Sequence, residues 1–269
     1  MDLLVKLIKE RSRGLRFIPT GVPCSGFLPR KPRAVLFDVY GTLLIQVPRR
    51  DLAVEDFIRR NRLELTPAEL SHGLRREVDA RHERLRARGT RFPEVRIERI
   101  WGRLFPGRPD AELRRLAVEF ELAIHSCWPA PGCRDVIASA AALGIRLGIV
   151  SNAQFYTPLF LQALLARTPE ELGFHPSLCI YSYRYQAGKP GPELYELAKS
   201  RLARLGIPPR EAVMVGNDPR NDIAAARRAG FMTILVAGDK RTQRMIHAGA
   251  RPDAVIDRLS SLHRLIRHS

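Results

Sequence analysis

Residues 34–43 read Ala34-Val35-Leu36-Phe37-Asp38-Val39-Tyr40-Gly41-Thr42-Leu43. Four apolar residues follow Arg30-Lys31-Pro32-Arg33 and run straight into a carboxylate and a glycine, which predicts a short buried strand with polar groups at its end. In an open parallel sheet that end is where side chains and backbone groups are released from the ladder to meet a ligand. Asp38 is therefore a candidate nucleophile or metal ligand. Gly41 allows a sharp turn, and the Thr42 hydroxyl is placed to donate to a substrate oxygen. Taken alone, so short a motif is equally a strand cap and a turn.

The pattern recurs downstream. Residues 145–150 run into Ser151-Asn152, 177–181 precede a loop ending at Lys189, and 213–216 run into Asn217-Asp218. Further strands are expected at 233–236 and 254–256, with helices at about 134–143, 157–166, 190–204, 221–229 and 240–248. That alternation predicts parallel strands joined by crossover helices, so residues 33–46 and 130–269 are assigned to one α/β core.

Residues 47–129 break the alternation, offering no convincing strand and several helix-period segments, and are assigned to an inserted helical lobe. Thr66-Pro67-Ala68-Glu69 has the chemistry of a helix start: a hydroxyl to cap free amides, a proline for the first turn and a glutamate completing a capping box. Gly89 is expected to end that helix. Residues 93–105 and 109–126 supply further helices, with Trp101, Leu104, Leu113, Leu116 and Phe120 facing the core.

Composition narrows the class. The 269 residues carry 45 Lys and Arg against 28 Asp and Glu, a net charge of +17, which attracts anionic partners. No nucleic-acid motif accompanies the charge, so a solvated basic surface and a small anionic substrate are expected rather than a nucleic-acid site. Four cysteines, Cys24, Cys127, Cys133 and Cys179, form no C-x-x-C pair and point to a reducing cytoplasm. No apolar run is long enough to cross a bilayer. Residues 1–32 are read as a basic extension packing on the body.

The residues at the strand ends share one chemistry. Ser151, beside Asn152, offers a hydroxyl to a phosphoryl or leaving-group oxygen. Lys189 offers a fixed positive charge that keeps a carboxylate ionised and offsets charge developing during attack. Asn217, Asp218 and Asp222 gather oxygen ligands suited to Mg²⁺ at a helix start. Singly, Ser151 reads as a helix cap, Lys189 as a solvated cation and Asp222 as a first-turn helix charge. Four such residues in order on strand ends point to one site.

In that order the sequence resembles the haloacid dehalogenase superfamily, whose signature is an aspartate strand end, then Ser or Thr, then Lys, then paired acidic residues. The resemblance covers about residues 33 to 257. It implies a Rossmann-like parallel sheet core, a mobile α-helical cap inserted between the first and second motifs, and a covalent intermediate on Asp38. It also implies Mg²⁺ held by Asp38, the Tyr40 carbonyl and the cluster Asn217, Asp218 and Asp222, with Asn221 and Ser182 in support. Two departures bear on the substrate. Phosphatases of the superfamily usually carry a second aspartate where this chain has Tyr40, and tyrosine there resembles the dehalogenase branch. Val215-Gly216-Asn217-Asp218-Pro219-Arg220-Asn221-Asp222 instead resembles the phosphatase pattern, with Asn217 in the first acidic position. Arg184 stands where relatives commonly place a glutamate, and is read as an exposed loop residue. The favoured expectation is a Mg²⁺-dependent phosphatase acting on a small phosphorylated metabolite. The alternatives are a 2-haloacid dehalogenase and a catalytically weakened binding protein.

Overall fold

A computed structural model describes residues 2–49, 52–243 and 251–267. Helix α1 (Leu3–Arg11) and the two-residue strand β1 (Ser25–Gly26) precede β2 (Ala34–Phe37). Strand β3 (Leu44–Pro48) leads into α2 (Leu52–Arg60), α3 (Pro67–Ala87), α4 (Ile97–Leu104) and α5 (Asp110–Ile124), and β4 (His125–Pro129) returns beside β3. There follow α6 (Cys133–Ala142), β5 (Arg146–Ser151), α7 (Thr157–Leu165), β6 (Phe174–Tyr181) and the one-turn α8 (Ser182–Tyr185). The chain ends with α9 (Glu193–Ala203), β7 (Ala212–Gly216), α10 (Ala225–Arg228), β8 (Met232–Val236), β9 (Ala254–Ile256) and α11 (Leu262–Arg267). This is the expected α/β, Rossmann-like architecture.

The main sheet has seven strands in the order β1-β9-β8-β7-β2-β5-β6, parallel except for β1 against β9. All four residues of β2 are buried. Because side chains alternate along a strand, Val35 and Phe37 join one hydrophobic cluster with Ile149 and Val215. Ala34 and Leu36 join another with Leu194 and Ala226. Helices on both faces make such a strand continuously apolar. Strand β2 pairs with β5 on one side and β7 on the other. Asp38 thus emerges where the chain's winding reverses, the position that favours ligand binding in open α/β sheets.

Several expectations need correction. The interval 47–129 does contain strand: β3 and β4 form an antiparallel ribbon, pairing Ile45 with Trp128 and Val47 with Ser126, and α2 to α5 lie between them. Five-residue strands carrying Pro48, Pro129, His125 and Ser126 lack the β-branched alternation that would announce them. The 221–229 helix is a wide π-type turn at Pro219–Ala224 followed by the short α10. Of the helix expected at 240–248, residues 240–242 form a turn and 244–250 lie outside the described residues. Helix α3 begins on the Thr66–Glu69 capping box as anticipated, and Gly89 beyond its end has φ +93°. Trp101, Leu113 and Leu116 are buried, with Leu104 and Phe120 packed against them. No described helix is long and apolar enough to cross a membrane.

Candidate active site

Asp38 leaves β2 with its N–H still bonded to the Val215 carbonyl (2.9 Å), so the ladder fixes its backbone. Its Oδ1 accepts from Lys189 Nζ (2.7 Å) and Ser151 Oγ (3.0 Å). Among the described residues its Oδ2 meets only the Thr42 hydroxyl, at 3.5 Å. One carboxylate oxygen is thereby anchored and the other left available, the arrangement an attacking carboxylate requires.

Lys189 spends all three ammonium donors, on Asp38 Oδ1, on Asp222 Oδ1 (2.6 Å) and on the Val150 carbonyl (2.9 Å). Burial works to lower this ammonium, but the attraction of Asp222 and Asp38 outweighs it and holds the group above its ordinary value. Burial pushes the Asp222 carboxyl up; Lys189 opposes that shift and the nearby Asp38 adds to it. Two acids therefore share one cation. Asn152 grips the lysine's main chain, its Oδ1 accepting from Lys189 N–H (2.7 Å) and its Nδ2 donating to the Lys189 carbonyl (3.0 Å). Asn152 is thus a positioning residue for Lys189.

Two glycines make the close approach possible. A Cβ on Gly216 would lie 2.3 Å from Asp222 Oδ2. Gly41 has φ +87°, and a Cβ there would lie 2.3 Å from Asn217 Nδ2, so the turn after Asp38 rests directly on the asparagine amide.

Tyr40 does not present its hydroxyl to the cluster: the hydroxyl pairs with Thr157 Oγ1 at 3.0 Å. Burial, with the nearby Glu121 carboxylate adding, raises this phenol well above its ordinary value, so it stays protonated at neutral pH. Asp218 caps the turn that follows it, Oδ1 accepting from Arg220 N (2.9 Å) and Asn221 N (2.8 Å) while Oδ2 accepts from Asn221 Nδ2 (3.0 Å). Asp222 Oδ2 accepts from the Asp218 N–H (2.9 Å). Asn221 therefore supports a cap rather than a metal shell, and Ser182, accepting from Ala153 N–H (2.8 Å), supports the loop after β5 rather than Lys189. Arg184 is exposed on α8, its guanidinium 5.2 Å over the Tyr181 ring.

Among the described residues no group of three or more His, Cys, Asp or Glu forms a metal cage. Asp218 and Asp222, expected as ligands, are engaged by the cap and by Lys189. What remains of the expected ligands is Asp38, the Tyr40 carbonyl and the oxygen of Asn217, whose amide nitrogen donates to the Thr242 carbonyl (2.9 Å). Mg²⁺ is commonly bound through one or two carboxylates with water and substrate oxygens completing its shell, and these residues meet that minimum.

The sequence reading missed a strap from the helical segment. The Phe92 carbonyl accepts from Gly188 N–H (2.7 Å) and Glu94 N–H donates to the Gln186 carbonyl (3.0 Å), so residues 92–94 run beside the loop that carries Lys189. Glu94 accepts from Ser182 Oγ (2.9 Å), Gln154 Nε2 (3.1 Å) and Val95 N–H (2.9 Å), and burial raises its carboxyl. Nothing in the local sequence separates Glu94 from Glu98, which follows one helical turn later among the same arginines.

Known proteins share this frame. The phosphoglycolate phosphatase of Salmonella paratyphi A is 28% identical over 246 residues, which cover 86% of this chain and 90% of that one. Other curated relatives, among them the phosphoserine phosphatase of Thermus thermophilus, are matched over only 39% to 59% of their own length. Two solved structures share the fold at 20% identity and a TM-score of 0.57: a phosphatase from Thermococcus onnurineus, covering 87% of this chain and 97% of its own, and a 2-haloacid dehalogenase from Pseudomonas syringae pv. Tomato DC3000, covering 87% and 98%. With residues 32–230 matched by the family's model, the chain belongs to the haloacid dehalogenase-like hydrolases.

Proposed function

We propose that the protein is a phosphatase that hydrolyses small phosphate monoesters through Asp38. The observation that carries the reading is the division of labour on the Asp38 carboxylate, with Oδ1 held by Lys189 and Ser151 and Oδ2 uncommitted beyond a 3.5 Å contact. Oδ2 attacks phosphorus, the bond from phosphorus to the ester oxygen breaks, and that oxygen leaves with the electron pair. Water then cleaves the aspartyl phosphate and restores the carboxylate. The Lys189 ammonium offsets negative charge as the group transfers, and the Ser151 and Thr42 hydroxyls, which contact Asp38 Oδ1 and Oδ2, would turn to donate to its oxygens.

Mg²⁺ would be held by Asp38, the Tyr40 carbonyl and Asn217, and would supply charge neutralisation at the phosphoryl oxygens. The four helices between β3 and β4 act as the cap that shields this chemistry from water. Resemblance over most of the Salmonella phosphatase's length supports the reading.

Tyr40 limits the substrates. Its hydroxyl is engaged with Thr157 and is a weaker acid than an ordinary phenol because it is buried, so it is a poor proton source for a departing alkoxide. Esters with good leaving groups, such as aryl phosphates, should turn over best. The same feature favours a second reading, displacement of halide from a 2-haloacid, because halide leaves without a proton. The test is hydrolysis of a mixed panel of phosphate esters and short 2-haloacids with and without Mg²⁺. Metal-stimulated release of phosphate supports the phosphatase; metal-independent halide release with no phosphate release overturns it; activity surviving Asp38→Asn overturns both.

A further inference from the structure

Beside the Lys189 loop lies a cavity of about 460 Å³, within the usual range of small-molecule sites, that neither Asp38, Ser151 nor Thr42 lines. Arg91 and Phe92 of the strap line it together with Pro190, which follows Lys189, and with Arg220 and Arg228 from the segment after β7. Among the described residues none of these three guanidiniums has a carboxylate within ion-pair distance. Glu196, the carboxylate that lines the cavity, is already paired with Lys199 at 2.9 Å. Arg228 reaches only the Pro190 carbonyl, at 3.4 Å, and Arg91 lies 5.4 Å from the centre of the Phe92 ring.

A second arginine-lined cavity, beside α4, is partly neutralised: there Arg96, Arg103 and Arg108 are matched by Glu98, Glu77 and Glu112, while Arg81 donates to Gln186. Guanidinium groups are permanently charged, and these three line one cavity with no carboxylate at ion-pair distance among the described residues. An anion placed among them gains charge-assisted, forked hydrogen bonds, while Phe92 and Pro190 add apolar lining.

We propose that this cavity is a second anion site, taking a small molecule that joins a phosphate group to a flat apolar body. Its occupant bridges the strap to the core through Arg91 on one side and Arg220 and Arg228 on the other. Since the Phe92 carbonyl holds Gly188, binding stabilises the strap against the Lys189 loop.

The test is calorimetric titration of the full chain with phenylphosphonate, which carries the anion and the ring and resists hydrolysis; because an aryl phosphonate also suits the Asp38 site, the binding read throughout is that of the second equivalent of ligand. The double variant Arg91→Ala/Arg228→Ala should bind at least about tenfold more weakly, the loss of one to two charge-assisted contacts. Arg228→Lys, which keeps the charge and loses the fork, should fall between. A matched control, Arg75→Ala/Arg204→Ala, removes the same charge from exposed positions outside this lining and should bind like wild type. Undiminished binding in the cavity variant, an equal loss in the control, or no binding to wild type each overturns the proposal. The readout does not depend on turnover, so an inactive protein with arginine-dependent binding keeps the second site, and an active one without it loses only this inference.

Discussion

Lys189 faces two carboxylates with one ammonium, 2.7 Å from Asp38 and 2.6 Å from Asp222, in a setting where its side chain is 2% exposed. Removing the cation leaves two buried acids confronting each other, so Lys189→Met should cost about 3–5 kcal/mol of stability at neutral pH. The deficit should shrink in acid as the carboxyls take up protons, and urea melts at pH 4.5 and 7.5 measure both. Equal deficits at the two pH values would contradict the shared-cation arrangement. Asp222 makes a second prediction. Its carboxyl is raised in the folded state by burial, so between the ordinary carboxyl value and neutrality the folded protein holds a proton that the unfolded chain has released. Stability from this group is present at low pH and lost as pH rises through that window. Lys189, raised by its partners, keeps its own contribution across the same range and loses it only in alkali. Asp222→Asn cannot ionise, so its urea midpoint should fall less from pH 4.5 to 7.5 than that of wild type.

Elements carry the site into place through local and non-local bonds, and the two kinds differ in what a sequence announces. Thr66 and Glu69 cap α3 reciprocally, the Glu69 N–H donating to Thr66 Oγ1 (3.2 Å) and the Thr66 N–H to Glu69 Oε2 (2.7 Å). Thr66→Ala should therefore lower stability by about 1 kcal/mol, read by denaturant melts, with catalysis unchanged. Glu94 acts at long range, holding Ser182 and Gln154 from the strap. Glu94→Ala should raise hydrogen exchange at Gly188 N–H and Ala153 N–H and slow turnover, whereas unchanged protection would mean the strap holds by its backbone alone. The cap on α3 was legible because its partners lie three residues apart and the chemistry is complete within them. So was the order Asp38, Ser151, Lys189, Asp222, because each follows a strand. The β3–β4 ribbon was not, since Leu44 and Pro129 meet only after four helices intervene. The role of Asp218 was illegible for a different reason: a carboxylate after a strand has the same local sequence as cap or metal ligand, and its cap on the amides of Arg220 and Asn221 emerges only in the folded turn.

Across the whole molecule, the first thirty residues bind regions that the sheet topology keeps apart. Helix α1 buries Leu4, Val5 and Ile8 against α5 and α7, and Arg11 reaches Glu119 of α5 at 3.2 Å. The chain then crosses to the far edge. Ile18 N–H donates to Asp239 Oδ2 (2.9 Å), Arg241 Nη2 donates to the Arg16 carbonyl (2.6 Å), and β1 closes the sheet against β9. This basic segment is therefore folded structure, and its charge surrounds a buried apolar stripe. Each of the three aliphatic side chains contributes up to about 1.5–3 kcal/mol, an upper bound set by an extended unfolded chain. Glu119 would keep Arg115 (2.6 Å) and Asn61 (2.9 Å) if Arg11 were lost, so the penalty for truncation lies in exposed hydrocarbon rather than an orphaned charge. Deleting residues 1–14 should lower the melting temperature by roughly 10 °C or more for a chain of this size. The protein that remains folded should keep its KM for aryl phosphates, because α1 contacts α5 and α7 and none of Asp38, Ser151, Lys189 or Asp222. A truncated protein that melts with the full chain would show that α1 adds no stability, and one that melts normally but loses KM would place the helix in the site.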